Sequence, residues 1–332
     1  MKSRRTALAV GLAAVATIVL VALVLAGCGS SGSSSSGTSA SPSASGSGVT
    51  IDGATITPDS SINALLPSDI KTSGVLRVAS ALPYAPWEYY NPPDTKNFAG
   101  FDYDLSQAIG AKLGVTAQFV DTPFDSIILS VLGGKNDMIM ADMYDNVDRE
   151  KQLTFVDYAY DGTSILVLKG NPAGITNLDS LSGKVVTVLA GSTQQALLTD
   201  LNKSFKSAGK PPMTILSLQG SPEGLLAIKG GKAVAQLTDH SQAEYIANST
   251  TAGKSFEVLS DPSAPHGYAP AIVGIGIDKS NTQLTTAVQK ALQALIDDGS
   301  YKTIIDKYGL IGVDSAKTNQ ATAVAASASP SP

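Results

Sequence analysis

An arginine that follows the end of a strand, inside a polar loop, has the chemistry to hold a carboxylate. The stretch from Gly133 to Asp157 reads GGKNDMIMADMYDNVDREKQLTFVD. Its apolar run, Met138, Ile139 and Met140, reads as a strand, and the polar loop after it leads to Arg149. Ligands of open α/β sheets gather at the carboxyl ends of strands, and a planar guanidinium fork matches a carboxylate two bonds at a time. Arg149 therefore reads as the grip on the carboxylate of a small amino-acid-like ligand. The segment Asp148, Arg149, Glu150 and Lys151 also reads as a solvated helix end of mixed charge, because most charge runs lie on surfaces.

Other chemistries are poorly provided for. The chain has 332 residues, a formal charge of −5, two histidines (His240 and His266) and one cysteine, Cys28. A negative balance argues against nucleic-acid binding, which needs a basic face to displace counterions. Neither a Cys/His cluster of metal-ligand spacing nor a Ser-His-Asp set or phosphate loop can be read from it, so no cofactor, metal or catalytic residue is expected. With 43% hydrophobic residues the chain can bury a large core, enough for two lobes.

The elements that position Arg149 begin well downstream of the N-terminus. Lys2, Arg4 and Arg5 precede an apolar run from Ala7 to Ala26, the plan of a secretory signal. The run is also long enough to span a bilayer as a retained helix. Leu25-Ala26-Gly27-Cys28 resembles the bacterial lipobox, which makes Cys28 the lipidated N-terminus of the mature chain and residues 1–27 its signal peptide. Residues 28–61, dominated by Ser and Gly up to Gly48, are expected to form a flexible tether, and residues 313–332 a disordered tail.

Between these ends, β-rich runs alternate with helical patterns. Val75–Ala79, Ala117–Val120 and Met138–Met140 read as strands, separated by helices with apolar faces Leu105/Ala108/Ile109/Leu113 and Ile127/Ile128/Val131/Leu132. A second round follows, with strands Ser164–Leu168, Val185–Leu189, Thr214–Leu218 and Ala233–Leu237 and helices from about Gln194 and Ser221. The chain ends in helices over Thr282–Asp297 and Tyr301–Tyr308. The alternation predicts two α/β units with parallel sheets and right-handed crossovers.

Several separated pieces, in this order, resemble one family. Among them are Gly74-Val-Leu-Arg-Val-Ala79, Tyr84-Ala-Pro-Trp-Glu88, Gly100-Phe-Asp-Tyr-Asp-Leu105, Phe124-Asp125, Asp148-Arg-Glu150, Gly191-Ser-Thr193, Thr238-Asp239 and Asp298-Gly-Ser-Tyr301. The chain is similar to the extracellular solute-binding proteins of polar amino-acid ABC transporters, solute-binding family 3. That resemblance implies a two-lobe, type II periplasmic-binding-protein fold, each lobe a sheet flanked by helices, with the ligand in the cleft between them. Residues 62–161 and 270–312 then form a discontinuous first lobe and residues 162–269 the second.

The resemblance also implies site roles. Arg149 matches the arginine that binds the ligand's α-carboxylate, and Ser192-Thr193 a position that adds a hydroxyl and helix-start amides. Thr193 reads equally as an ordinary N-cap. Asp239 matches the partner of the α-ammonium, or else caps the helix that follows. Tyr84 and Phe124 match the aromatic walls, and Trp87 is either a third wall or core. Two positions depart from the family pattern: Asp142 and Tyr144 stand where small or hydroxyl residues are usual. Asp142 either meets a second ammonium or guanidinium of the ligand or is structural.

The function implied is that of a monomeric, non-enzymatic receptor, lipid-anchored outside the bacterial membrane, that closes on an amino acid and hands it to an ABC permease. A dehydratase-like cleft enzyme on the same fold, or an ectodomain that senses ligand for a partner protein, are the rival readings.

Overall fold

A computed structural model of the chain describes residues 48–91, 97–249, 251–262 and 264–321. The signal segment, Cys28, the tether up to residue 47 and the tail beyond residue 321 lie outside the described residues.

The folded body starts earlier than composition indicates. Strands β1 (Val49–Ile51) and β2 (Ala54–Ile56) form an antiparallel hairpin around Asp52-Gly53, whose φ angles are 50° and 88°. Two positive φ values in a two-residue turn match the right-handed twist of the flanking strands, and Asp-Gly favours them. Ile51 and Ile56 are buried in the first lobe. Residues 48–61 are therefore part of the fold and not of the tether.

Helix α1 (Ser60–Asn63) is capped by Asp59, which accepts from Ser61 N at 2.8 Å. Helix α2 (Ser68–Ser73) stops at Gly74 and gives way to β3 (Val75–Ser80). The short pair β4 (Tyr89–Tyr90) and β5 (Phe98–Ala99) leads to α3 (Phe101–Leu113). Gly100 between them is obligatory: its φ is 117°, and a Cβ would lie 2.3 Å from the Trp87 carbonyl oxygen. Helix α3 buries Leu105, Ala108, Ile109 and Leu113, the face its periodicity predicts. Strand β6 (Thr116–Asp121), α4 (Ile127–Leu132) and β7 (Met138–Ile139) complete the first unit, with β3 parallel to both β6 and β7.

Strand β8 (Leu153–Leu168) runs 16 residues without a break, and its sequence is apolar or buried almost throughout. It enters the second unit: β9 (Val185–Leu189), α5 (Thr193–Ser207), β10 (Thr214–Leu218), α6 (Ser221–Lys229), β11 (Ala235–Asp239), α7 (His240–Asn248) and β12 (Phe256–Val258). Strand β13 (Tyr268–Asp278) returns antiparallel to β8, and α8 (Thr282–Asp297), α9 (Ser300–Tyr308) and β14 (Ile311–Gly312) follow.

The sheet order is β10-β9-β11-β8-β13-β7-β3-β6. One half of β8 pairs with β13 beside the first parallel set, and its far half pairs with β11 and β12 of the second. Two α/β lobes are thus carried on two long strands. The larger core includes Leu76, Leu105, Ile109 and Tyr158 together with Leu292 of α8 and Ile304 of α9, so the last helices pack on the first lobe. A separate core around Ile165, Val186, Leu198, Phe205 and Leu237 belongs to the second. Each fully buried aliphatic side chain contributes roughly 1.5–3 kcal/mol.

The C-terminal segment also differs from expectation. Residues 313–321 lie against the first lobe: Asp157 N donates to Lys317 O at 2.9 Å, and Phe155 N to Asn319 Oδ1 at 2.8 Å. Thr318 bridges to Val156, and Ala316 is buried. A Ser/Ala-rich composition cannot by itself reveal that backbone bonds await it on β8.

Candidate ligand-binding site

The site is built where strand ends from both lobes meet. After β7 the chain turns at Asp142, whose φ of 44° falls in the left-handed region that aspartate tolerates. Its backbone N donates to Asp102 Oδ2 at 2.8 Å, and Tyr158 OH donates to Asp102 Oδ1 at 2.7 Å. Asp102, in the first turn of α3 and fully buried, is thereby the post on which the loop hangs. Asp142 lines a cavity, is 5% exposed, and neither of its carboxylate oxygens has a hydrogen-bond partner. Burial pushes its carboxyl well above the ordinary range, and Asp239 and Asp161 push in the same direction.

Arg149 opens a single 3-10 turn and is 9% exposed. Its Nη1 donates to Tyr144 O at 2.8 Å and its Nη2 to Gly191 O at 3.2 Å, so the guanidinium reaches from one lobe to the other. Its Cζ lies 5.6 Å from the centre of the Phe124 ring, within cation–π range. Burial lowers its pKa to about 10, which leaves it charged at neutral pH. The solvated-charge reading holds instead for its neighbours Asp148 and Lys151, exposed and paired with each other at 2.5 Å.

Asp239 ends β11 and makes no side-chain cap bond to α7. Its carboxylate accepts from Gln194 Nε2 at 2.6 Å and from the hydroxyl of Tyr84, which also lies 2.7 Å from Thr238 Oγ1. Burial raises the Asp239 pKa, and these donors partly offset the rise. The helix-start roles divide cleanly. Ser192 is the N-cap of α5, accepting from Gln195 N at 3.2 Å, while Thr193 lines the cavity with its Oγ1 unpartnered.

Tyr84, Phe124, Asp142, Tyr144, Arg149, Ser192, Thr193 and Asp239 all line this one cavity. Trp87 does not: it is fully buried between Phe101 and Tyr158, and its Nε1 donates to Ser241 Oγ at 2.7 Å. It belongs to the core and to the contact between lobes, so its reading as a cavity wall is corrected. The reason is its position one residue before Glu88, whose side chain takes the cavity side instead. The lobes stand closed upon each other, bonded through Tyr84 to Asp239, Trp87 to Ser241 and Arg149 to Gly191 O.

Four contributors escaped the sequence reading. Glu88 lines the cavity at 1% exposure with Oε2 unpartnered. Gln194 is the donor to Asp239, and Asp102 holds the Asp142 loop. Asp161, in β8, accepts from Gly162 N at 2.7 Å and from the Ser241 hydroxyl, and burial raises its pKa to about 7. Carboxylate oxygens of Asp142, Asp161 and Asp239 lie within 4.8 Å of one another. Glu88 and Gln194 sat next to residues already singled out; Asp161 had no local signal.

Two lobes on a pair of crossing strands, with one buried arginine and one buried aspartate facing the same cavity, define a two-lobed solute-binding protein. Residues 76–311 match the bacterial extracellular solute-binding proteins, family 3, and the chain belongs to that family. It is 31% identical over 235 residues to the lysine/arginine/ornithine-binding periplasmic protein of Escherichia coli, covering 70% of this chain and 86% of that protein. The histidine-binding periplasmic protein of Salmonella typhimurium is 28% identical over 233 residues, 70% of this chain and 86% of the relative. Among solved structures, an ancestral arginine-binding protein bound to arginine superposes with a TM-score of 0.62 at 31% identity, over 71% of this chain and 98% of that one. An ancestral amino acid-binding protein, a precursor of cyclohexadienyl dehydratase, gives a TM-score of 0.61 at 27% identity over 74% and 99%. Among the described residues no helix is long and apolar enough to cross a membrane.

Proposed function

We propose that the protein captures an amino acid outside the bacterial membrane and delivers it to an ABC permease. Arg149 holds the α-carboxylate together with the start of α5 at Ser192 and Thr193, and Asp239 holds the α-ammonium. Tyr84 and Phe124 flank the ligand side chain, and Tyr144 closes the floor. The observation that carries this reading is that Arg149 and Asp239, supplied by different lobes, line one cavity. A ligand bonded to both favours the closed form over the open one, which is what makes closure a signal to the permease.

In this reading the lobes are 48–161 with 270–321 and 162–269, and the hinge lies where β8 and β13 cross between them. The chain acts as a monomer, held to the membrane by lipid on Cys28, and needs no cofactor. Relatives named for binding lysine, arginine, ornithine or histidine support the ligand class.

Isothermal calorimetry of protein stripped of carried-over ligand, titrated with a panel of amino acids, tests the proposal. At least one member is expected to bind with a Kd in the micromolar range or tighter, about 8 kcal/mol. Silence across the panel refutes it. The competing reading, a dehydratase-like enzyme, draws support from the likeness to a dehydratase precursor. It requires turnover of a prephenate-like acid that disappears in Asp142→Asn; our reading expects none in the parent protein.

A further inference from the structure

The cavity carries more carboxyl groups than the binding of a neutral zwitterion explains. Three carboxyl groups line it (Glu88, Asp142 and Asp239) against one guanidinium, that of Arg149. Asp161 stands directly behind, its oxygen in the triad with Asp142 and Asp239. An amino acid with an uncharged side chain brings one charge of each sign and leaves the imbalance as it was.

Hydrogen-bond supply shows where the deficit falls. Apart from the Thr193 hydroxyl, the side-chain donors around these acids are committed: Tyr84 and Gln194 serve Asp239, Ser241 together with Gly162 N serves Asp161, Tyr144 serves Gly162 O, and Arg149 serves two carbonyl oxygens. Both oxygens of Asp142 are left without a donor, in a residue 5% exposed. Independently of that triad, Oε2 of Glu88 is also unpartnered, in a residue 1% exposed on the same cavity. A buried carboxylate without donors is costly, so what completes these two groups must arrive with the ligand.

We propose that the ligand carries a second cationic group beyond its α-ammonium, that the acids Asp142, Asp161 and Glu88 accommodate the added charge, and that Asp142 is the residue that selects for it. The chemical class is a basic amino acid with a primary ammonium or guanidinium side chain. Since the three triad oxygens lie within 4.8 Å of one another, a single point lies within about 2.8 Å of all of them, the range of an N–H···O bond from a charged donor. With Asp239 holding the α-ammonium, a side-chain ammonium, which has three donors, can serve Asp142 and Asp161 beside it. The inference rests on the reading of the cleft as an amino-acid site.

The test pairs charged ligands with neutral ones of the same shape, using full-length protein purified in mild detergent and stripped of carried-over ligand. Calorimetry compares arginine with citrulline and lysine with 2-aminoheptanoic acid, whose terminal methyl stands where lysine has its ammonium. The parent protein is expected to prefer the charged member at least 100-fold, and Asp142→Asn to lose at least tenfold of that preference. Equal affinity for arginine and citrulline overturns the inference while leaving amino-acid capture intact. An undiminished preference in Asp142→Asn overturns the role of that residue. Binding of no amino acid at all removes the underlying reading, and a thermal shift given by calcium chloride alone, without any by amino acids, marks the triad as a metal seat and overturns the proposal. The parent comparison needs no variant, so misfolding of Asp142→Asn leaves it decisive, and Glu88→Gln provides a second measure of the charge effect.

Discussion

Asp148, Arg149 and Lys151 stand almost side by side in sequence and end in opposite environments. The outer two pair with each other in solvent, and Arg149 turns inward to bond carbonyl oxygens of both lobes. If it holds the ligand carboxylate, Arg149→Ala should weaken binding at least 100-fold, about 3 kcal/mol, because truncation leaves the partner anion without its donors. Arg149→Lys should weaken it at least tenfold, since a point charge replaces a fork. Calorimetry beside circular dichroism checks both; near-parental affinity in a folded Arg149→Ala would falsify the assignment. Its place in a polar loop beyond a strand end left an inward turn and a solvated charge run both open, and the ordered resemblance of distant motifs favoured the inward one. Asp161 was not legible, because it gains meaning only by convergence with Asp142 and Asp239, each tens of residues away. Thr193 and Ser192 could be read as cap and ligand contact in either order, since adjacent hydroxyls at a helix start carry the same local signal; the structure gives the cap to Ser192.

Among the elements, those with strong periodicity were readable and those that depend on a distant partner were not. Val185–Leu189, Thr214–Leu218 and Thr282–Asp297 fall where the apolar pattern puts them. Strand β8 was seen only in its second part, because burial on both faces removes the alternation that marks a strand. The hairpin β1–β2 carried the Asp-Gly turn signal, obscured by the Ser/Gly run before it. The segment 315–321 had no signal at all, yet it forms an outer strap: Lys317 O and Asn319 Oδ1 accept from β8, and Ala321 N donates to Asp145 Oδ2 at 3.1 Å. Ending the chain at Ser315 removes these bonds and exposes two β8 amides. A loss of about 1–3 kcal/mol is expected, seen as a lower urea midpoint with ligand affinity retained. An unchanged midpoint would show that the strap adds nothing to stability.

At the scale of the whole molecule, the closed lobes bury an acidic interior with few counter-charges. Burial raises Asp102 to a pKa of about 6, Asp161 and Asp145 to about 7, and Asp157 to about 8, and raises Asp142 and Glu88 as well. A carboxyl whose pKa is higher in the folded chain than in the unfolded one binds its proton more tightly when folded. Its contribution to stability is complete below the unfolded value near pH 4 and is lost as pH rises through the folded value. The ligand-free protein should therefore lose stability between about pH 5 and pH 8, the reverse of proteins held together by ionised carboxylates. The loss is on the order of a few kcal/mol, about 5 °C or more in Tm for a chain of this size. A cationic ligand favours the ionised form of the cleft acids, so the same scan with bound ligand should flatten, and the stabilisation it confers should grow toward pH 8. Differential scanning fluorimetry at constant ionic strength measures both curves. A ligand-free Tm that is flat or climbs from pH 5 to pH 8 would mean that these acids are ionised and compensated inside the fold, and the charge deficit on which cation selection depends would be gone.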